Sequence, residues 1–306
     1  MNSLRIIFMG TPEFAVPSLE ILLAHKFNVV AVVTAPDKPQ GRGQKLVPSP
    51  VKECALKSGI PVLQPTNLKS EAFLEELKSY HANLQVVVAF RMLPESVWSM
   101  PVLGTFNLHA SLLPQYRGAA PIHWAIINGE KETGVTTFFL QHEIDTGRII
   151  FQEKEPIHDT DTVGMVYDRL MKKGSQLVLQ TVQAIAAGNI PSTPQPSGIE
   201  IKHAPKIFKE TCEINWNQPS KKIVDFVRGL SPYPSAWTVL KEKNFKISAV
   251  RQVQDTIPKS GPGDITTDQK SFLNVSTSDG WISILEFQPE GKKKMTVEEY
   301  FRGNKL

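Results

Sequence analysis

Apolar positions in the first half of the chain fall into short runs separated by stretches with helical spacing. Leu4 to Met9 is a β-type run, Ser18 to Ala24 has helical spacing, and Phe27 to Thr34 is a second, valine-rich β-type run. Leu84 to Phe90, Gly104 to His109 and Gly134 to Leu140 read as further buried strands. Strands alternating with helices predict an α/β domain built on a mainly parallel sheet covered on both faces. Such sheets bind ligands beyond the carboxyl ends of their strands. Thr160 to Ala187 reads as one long helix, because Val163, Val166, Leu170, Leu177, Val178 and Ile185 recur at helical intervals.

The pattern then changes. Residues 188–205 hold Gly188, Pro191, Pro194, Pro196, Gly198 and Pro205, which is linker chemistry. Beyond it, short β-type runs at 235–240, 245–253, 272–277 and 281–287 are separated by turns such as Gly261-Pro262-Gly263-Asp264 and Ser278-Asp279-Gly280. Several short strands with turn signals predict a small β-barrel. The expected division is a catalytic domain at 1–188, a linker at 189–206 and a second domain at 207–306.

A length of 306 residues suits two domains, and 41% hydrophobic with 21% charged residues describes a globular chain. No apolar run approaches the roughly 18 residues of a membrane span. The start runs directly into an apolar strand without the features of a secretory signal. Cys54 and Cys212 are too few and too far apart for a disulfide framework or a zinc site, so two reduced thiols and a cytoplasmic compartment are expected. From Lys206 onward there are 16 basic and 12 acidic residues, whereas before it each sign counts 18. The basic excess therefore sits in the last third, where it suits a solvated face or loose contact with a polyanion such as RNA.

Asn107 and His109 stand two apart on a predicted strand, so their side chains leave the same face. An amide donor beside an imidazole that can move protons suits a reaction passing through an oxyanion. Asp145, in Ile144-Asp145-Thr146-Gly147, offers a carboxylate that could orient the imidazole. By spacing alone, Asn-x-His is equally a structural hydrogen-bonded pair and Asp-Thr-Gly a common turn. The loop from Asp37 to Lys45 holds Pro39, Gly41 and Gly43 and cannot be regular helix or central strand. Its Lys38, Arg42 and Lys45 make it basic. Gly10-Thr11-Pro12 follows a strand but lacks the spacing of a dinucleotide fingerprint. No His/Cys/Glu spacing points to a catalytic metal, and none is expected.

The run Asn-Leu-His-Ala-Ser-Leu-Leu-Pro-Gln-Tyr-Arg-Gly-Ala-Ala-Pro-Ile (107–122), followed by Ile-Asp-Thr-Gly (144–147), closely resembles the signature of the folate-dependent formyltransferases. The resemblance extends over nearly the whole chain. Residues 8–15, 36–45, 48–52, 228–237 and the tail through 301–303 resemble members of that family that formylate methionyl-tRNA. It implies a Rossmann-like catalytic domain followed by a small OB-like β-barrel that binds tRNA. It further implies 10-formyltetrahydrofolate as formyl donor, methionyl-initiator tRNA as acceptor, and a monomer without membrane attachment. By resemblance Asn107, His109 and Asp145 are catalytic. The reduced folate is expected against Phe90, Arg91, Met92, Leu93, Ser111, Leu112, Leu113, Pro114 and Asp145. Contacts to tRNA are expected from Lys38, Arg42, Lys45 and Lys206, with Arg42 the key side chain of its loop. The rival acceptors are a sugar nucleotide or glycinamide ribonucleotide, and a further rival is a non-catalytic RNA-binding protein.

Three positions depart from the family pattern. Ala110 stands where proline is usual, which loosens the turn without removing a chemical group. Arg91 stands where glycine is common, which removes backbone freedom from the expected folate loop. Gln141-His142-Glu143 replaces a more acidic, glycine-containing loop before Asp145, with His142 either facing solvent or modifying nearby ionisable groups.

Overall fold

The computed structural model of the chain describes residues 4–40, 45–253 and 261–306. In chain order it places β1 (Arg5–Gly10), α1 (Val16–Ala24), β2 (Asn28–Val33), β3 (Lys38–Gln40), β4 (Lys45–Val47), α2 (Pro50–Lys57), β5 (Val62–Leu63), α3 (Glu71–Ser79), β6 (Leu84–Val88), α4 (Glu95–Trp98) and β7 (Thr105–His109). There follow β8 (Arg117–Gly118), α5 (Pro121–Ile127), β9 (Glu132–Phe139), β10 (Ile149–Pro156), the long α6 (Val163–Ala187) and β11 (His203–Ala204). The last third carries α7 (Ser220–Leu230), β12 (Ala236–Leu240), β13 (Lys243–Val253), β14 (Ile265–Thr267), β15 (Leu273–Ser276), β16 (Trp281–Pro289), β17 (Met295–Thr296) and α8 (Val297–Phe301). The chain packs as two compact units, one of residues 1–117, 134–155 and 167–202, the other of residues 118–133, 156–166 and 203–306.

The first unit is organised by a seven-stranded sheet in the order β10-β9-β7-β6-β1-β2-β5. Strands β5, β2, β1, β6 and β7 are mutually parallel, and β9 runs antiparallel to β7. Central position explains composition. All five residues of β6 are buried, as are Ile6 to Gly10 of β1, so these strands read as continuous apolar runs rather than alternating ones. In α6, Leu170, Leu177, Val178, Val182 and Ile185 form the buried stripe. Helix α2 starts on local chemistry: the Ser49 hydroxyl accepts from Lys52 N at 3.1 Å, with Pro50 in the first turn.

The second unit holds a curled antiparallel sheet, β12-β13-β16-β15-β14, with β17 added to β16. Its form is consistent with the OB-like barrel expected from the sequence. Two register shifts between Ile247 and Val250 let β13 bend. Phe245, Phe287 and Tyr300 meet edge-on within 6.0 Å and, with Ile223, Val227 and Leu230 of α7, fill the core. Helix α7 is capped from a distance. Asp279 Oδ1 accepts from Ser220 N at 2.7 Å, a bond that holds the carboxyl below its usual range. Buried Arg228 bonds Asp225 at 2.7 Å and donates to the carbonyls of His158 and Asp161. Thr296 and Glu299 form a capping box on α8.

Among the described residues, no helix is long and apolar enough to cross a membrane.

Candidate active site

Strand β7 presents Asn107 and His109 on one face, as its alternation requires. Leu108 points the other way, where Gly174 admits it: a Cβ there would lie 2.7 Å from Leu108 Cδ2. The ladder fixes the register, with Asn107 opposite Val87 and Phe138, and His109 opposite Thr136.

His109 is 7% exposed. Its Nε2 lies 2.9 Å from the carbonyl oxygen of Tyr116. A carbonyl only accepts, so Nε2 carries a proton and Nδ1 is the atom left to face Asp145. Nδ1 lies 4.0 Å from Asp145 Oδ2, within ion-pair reach but beyond a hydrogen bond. A water bonded to both atoms would sit to one side of the line between them. Among the described residues the Asn107 amide makes no hydrogen bond, so its donors are available to a ligand.

Asp145 reaches this place by an indirect route. Because β9 is antiparallel to β7, Phe139 lies opposite Phe106, and Leu140 N donates to Thr105 O at 2.8 Å. The loop after β9 therefore begins near the amino end of β7, roughly 13 Å along the strand from the level of His109. The carboxyl-end rule accounts for His109 and for the Phe90 loop after β6. Asp145 comes from the opposite end, on a loop that doubles back.

Local chemistry makes the reversal possible. A Cβ on Gly147 would lie 1.7 Å from the Phe139 carbonyl oxygen, so no side chain fits there. Asp145 takes φ +55°, which short polar side chains tolerate better than most. The carbonyls of Asp145 and Gly147 both accept from Nε2 of Gln195, at 2.8 and 2.9 Å. Arg117 Nη2 donates to Gln195 Oε1 at 2.6 Å. A left-handed residue costs on the order of 1 kcal/mol. Two hydrogen bonds at about 1 kcal/mol each offset it. The Pro-rich stretch around 190–200 is thus tied to the first unit here, and Thr193 also pairs with Ile149.

The two loop departures resolve differently. Arg91 is not among the residues with positive φ; that conformation falls on Ala89, at +48°, which also ends β6 two residues before the expected Phe90. The Arg91 guanidinium donates to the carbonyls of Thr66, at 3.1 Å, and Pro65, and lies 5.6 Å from the Phe90 ring centre. Arg91, Met92, Leu93 and Pro94 line one wall of an open cleft of about 670 Å³, with Met92 exposed. Among the described residues the backbone groups of Phe90 to Leu93 make no hydrogen bonds. His142 does face solvent, at 76% exposure, yet it touches two groups. Its Nε2 is 3.2 Å from Glu95 Oε1 and its ring meets Trp98 edge-on at 5.5 Å. An exposed pair of this kind contributes about 0–1 kcal/mol.

Of the other expected folate contacts, Ser111, Leu113 and Pro114 are buried in the turn after His109, and Leu112 is half-buried. Thr136 Oγ1 donates to Ser111 O at 2.6 Å, and Gln152 Nε2 to Leu113 O at 2.8 Å. Thr136 and Gln152 thus hold the backbone of this turn from β9 and β10. Lys38 and Lys45 stand on the antiparallel ribbon β3-β4, whose base is held where Asp37 meets Lys52 at 2.6 Å and Gln64 at 2.8 Å. The Lys52 hydrogen bond, with Gln64, keeps the Asp37 carboxyl below its usual range. Arg42 lies outside the described residues. Lys206, in the second unit, has its ammonium 5.3 Å from the Phe208 ring centre, and Phe208 is exposed. Gln195, Arg117 and the Tyr116 carbonyl escaped the sequence reading; the available signal was a single polar side chain between Pro194 and Pro196 in a stretch that reads as a tether.

Comparison with known proteins identifies the family. Residues 4–182 match the formyl transferase family, and residues 206–305 match the formyl transferase C-terminal domain. A protein of Bacteroides fragilis named methionyl-tRNA formyltransferase is 55% identical over 309 residues, covering 99% of this chain and 95% of that protein. Among solved structures, the sugar 3N-formyl transferase WlaRD, in the presence of dTDP and 5-N-formyl-THF, superposes with a TM-score of 0.70 at 23% identity, covering 96% of this chain and 100% of that one. HypX from Aquifex aeolicus, in complex with tetrahydrofolic acid, gives 0.67 at 19% identity over 99% of this chain and 48% of that one. The two structures establish a shared fold, and the family matches together with the relative's identity settle membership: the chain is an enzyme of the formyl transferase family.

Proposed function

We propose that this protein transfers the formyl group of 10-formyltetrahydrofolate to the α-amino group of methionyl-initiator tRNA. The observation that carries the reading is buried His109 facing half-buried Asp145, beside an unengaged Asn107 amide, in a chain 55% identical to a protein named for that reaction. The cleft along Arg91 to Pro94 supports a reduced folate there, since unengaged backbone groups beside exposed Met92 offer a flat heterocycle both polar and apolar contacts. The folate supplies an activated formyl carbon when bound.

Each residue then has a distinct task. The α-amine attacks the formyl carbon, and Asn107 donates to the formyl oxygen as negative charge grows on it. The Tyr116 carbonyl holds the proton on His109 Nε2, so His109 acts as an acid as the imidazolium, through its second proton on Nδ1. That proton passes to the departing folate nitrogen as its bond to the formyl carbon breaks. Asp145 orients the imidazole and, through a water beside the pair, accepts the proton lost by the amine. In this reading residues 1–188 carry the chemistry and residues 207–306 help hold the tRNA. Lys38, Arg42, Lys45 and Lys206 supply cations for phosphates.

Incubation with 10-formyltetrahydrofolate and methionyl-tRNA, with an amino-sugar nucleotide as the parallel acceptor, tests the assignment. Formyl-methionyl-tRNA is the expected product, and formylation of the sugar alone overturns the acceptor. Arg42→Ala is expected to raise the KM for methionyl-tRNA about tenfold or more while sparing the KM for folate, consistent with the loss of a charged contact.

A further inference from the structure

We infer that Gln195 is a positioning residue for the catalytic carboxylate, so that the Pro-rich segment is part of the active-site machinery. The inference rests on the reading of His109 and Asp145 as catalytic.

Residues 191–194 and 196–200 are all exposed, and Gln195 alone among 191–200 is half-buried. Its amide uses both ends. Nε2 donates to the Asp145 and Gly147 carbonyls, while Oε1 accepts from Arg117. Arg117 follows Tyr116 directly, and the Tyr116 carbonyl is the partner of His109 Nε2. The bonds therefore form a chain from His109 through the Tyr116 carbonyl, the Arg117 side chain and Gln195 to the Asp145 backbone, whose carboxylate returns to within 4.0 Å of His109 Nδ1. One side of the imidazole is anchored on the same short segment that, through Arg117 and Gln195, anchors the carboxylate facing its other side.

No ladder performs this task for Asp145. Its loop leaves the sheet at Leu140 and doubles back; the bonds from Gln141 to Thr146 and from Thr146 to Glu143 are internal, while His142 reaches Glu95 on α4 and Arg148 reaches Ser192. The bonds from Gln195 are made to the backbone of Asp145 itself and of Gly147. Gln195 ties the loop to Arg117 of β8, the next strand after β7. A side chain able both to donate to two carbonyls and to accept from a guanidinium must be an amide. Pro194 and Pro196 on either side restrict the backbone that presents it.

The experiment is a double-variant cycle on the full chain, read as single-turnover formylation. Gln195→Met keeps the length of the side chain and removes all three hydrogen bonds. Alone it should lower the rate by roughly thirtyfold, as expected for a reacting group displaced by a fraction of an ångström, with the KM for folate changing less than about threefold. In an Asp145→Ala background the same substitution should cost less than about twofold, because it acts only through the carboxylate. Arg117→Ala should behave like Gln195→Met and add little to it. An equal loss in both backgrounds overturns the inference, as does an unchanged rate for Gln195→Met alone. Failure of the underlying reading looks different: Asp145→Ala by itself then retains the rate. Thermal denaturation of each variant separates a misplaced loop from an unfolded one.

Discussion

His109 and Asp145 face each other across 4.0 Å but are held by opposite means. His109 ends a strand paired with β6 through Leu108 and with β9 through His109 itself, so its position follows from the sheet. Asp145 sits on a reversed loop in a left-handed conformation, fixed by a glycine with no room for a side chain and by one glutamine from about 50 residues away. The rigid partner is placed by backbone pairing, the other by side chains borrowed from distant sequence. A proton-transfer pair built this way is only as precise as its less regular half.

Four substitutions sharpen that contrast, in falling order of effect. His109→Ala removes the proton donor and is expected to lower turnover by about a thousandfold or more. The strand stays formed because its ladder does not depend on that side chain, and circular dichroism with the denaturation midpoint checks this. Asp145→Asn keeps a residue that tolerates positive φ and removes only the charge. Turnover should fall on the order of a hundredfold. Stability to urea should change by less than about 0.5 kcal/mol; a large loss there would mean that the carboxylate is structural. Gly147→Ala attacks the loop and not the chemistry, since its Cβ meets the Phe139 carbonyl. A stability loss of about 2–4 kcal/mol is expected. A rate loss of about tenfold should accompany it as Asp145 shifts. His142→Ala deletes an exposed contact with Glu95 and Trp98. It should alter stability by less than about 1 kcal/mol. Its rate should stay within about twofold, and a larger drop would promote this contact to a second clamp on the loop.

The same contrast decides what could be read from sequence. Asn107 and His109 were legible because alternation on a buried strand fixes a face, and α6 because its apolar stripe repeats every turn. The parallel core and the strands of the last third were likewise legible from their runs. The direction of β9 was not, since an apolar run such as Gly-Val-Thr-Thr-Phe-Phe has the same pattern whichever way it pairs. With that direction hidden, the doubled-back path of Asp145 was hidden too. Arg91 shows a related limit: the strained backbone position in that loop is Ala89, two residues earlier, and no composition rule distinguishes them. Gln195 lay in a segment whose prolines signal a tether, and its contacts are 50 and 78 residues distant in the chain. The cap of α7 by Asp279, 59 residues away, belongs to the same class.

Asn107 provides the most direct test of the central claim, because it contributes one donor and no proton. Rapid-quench single-turnover formylation of methionyl-tRNA, with both substrates saturating, compares the protein with Asn107→Ala. A transition-state donor at this position predicts a rate lower by about 10²–10³, with unchanged binding of 10-formyltetrahydrofolate and an unchanged denaturation midpoint. An unchanged single-turnover rate would contradict the account and move the chemistry away from β7.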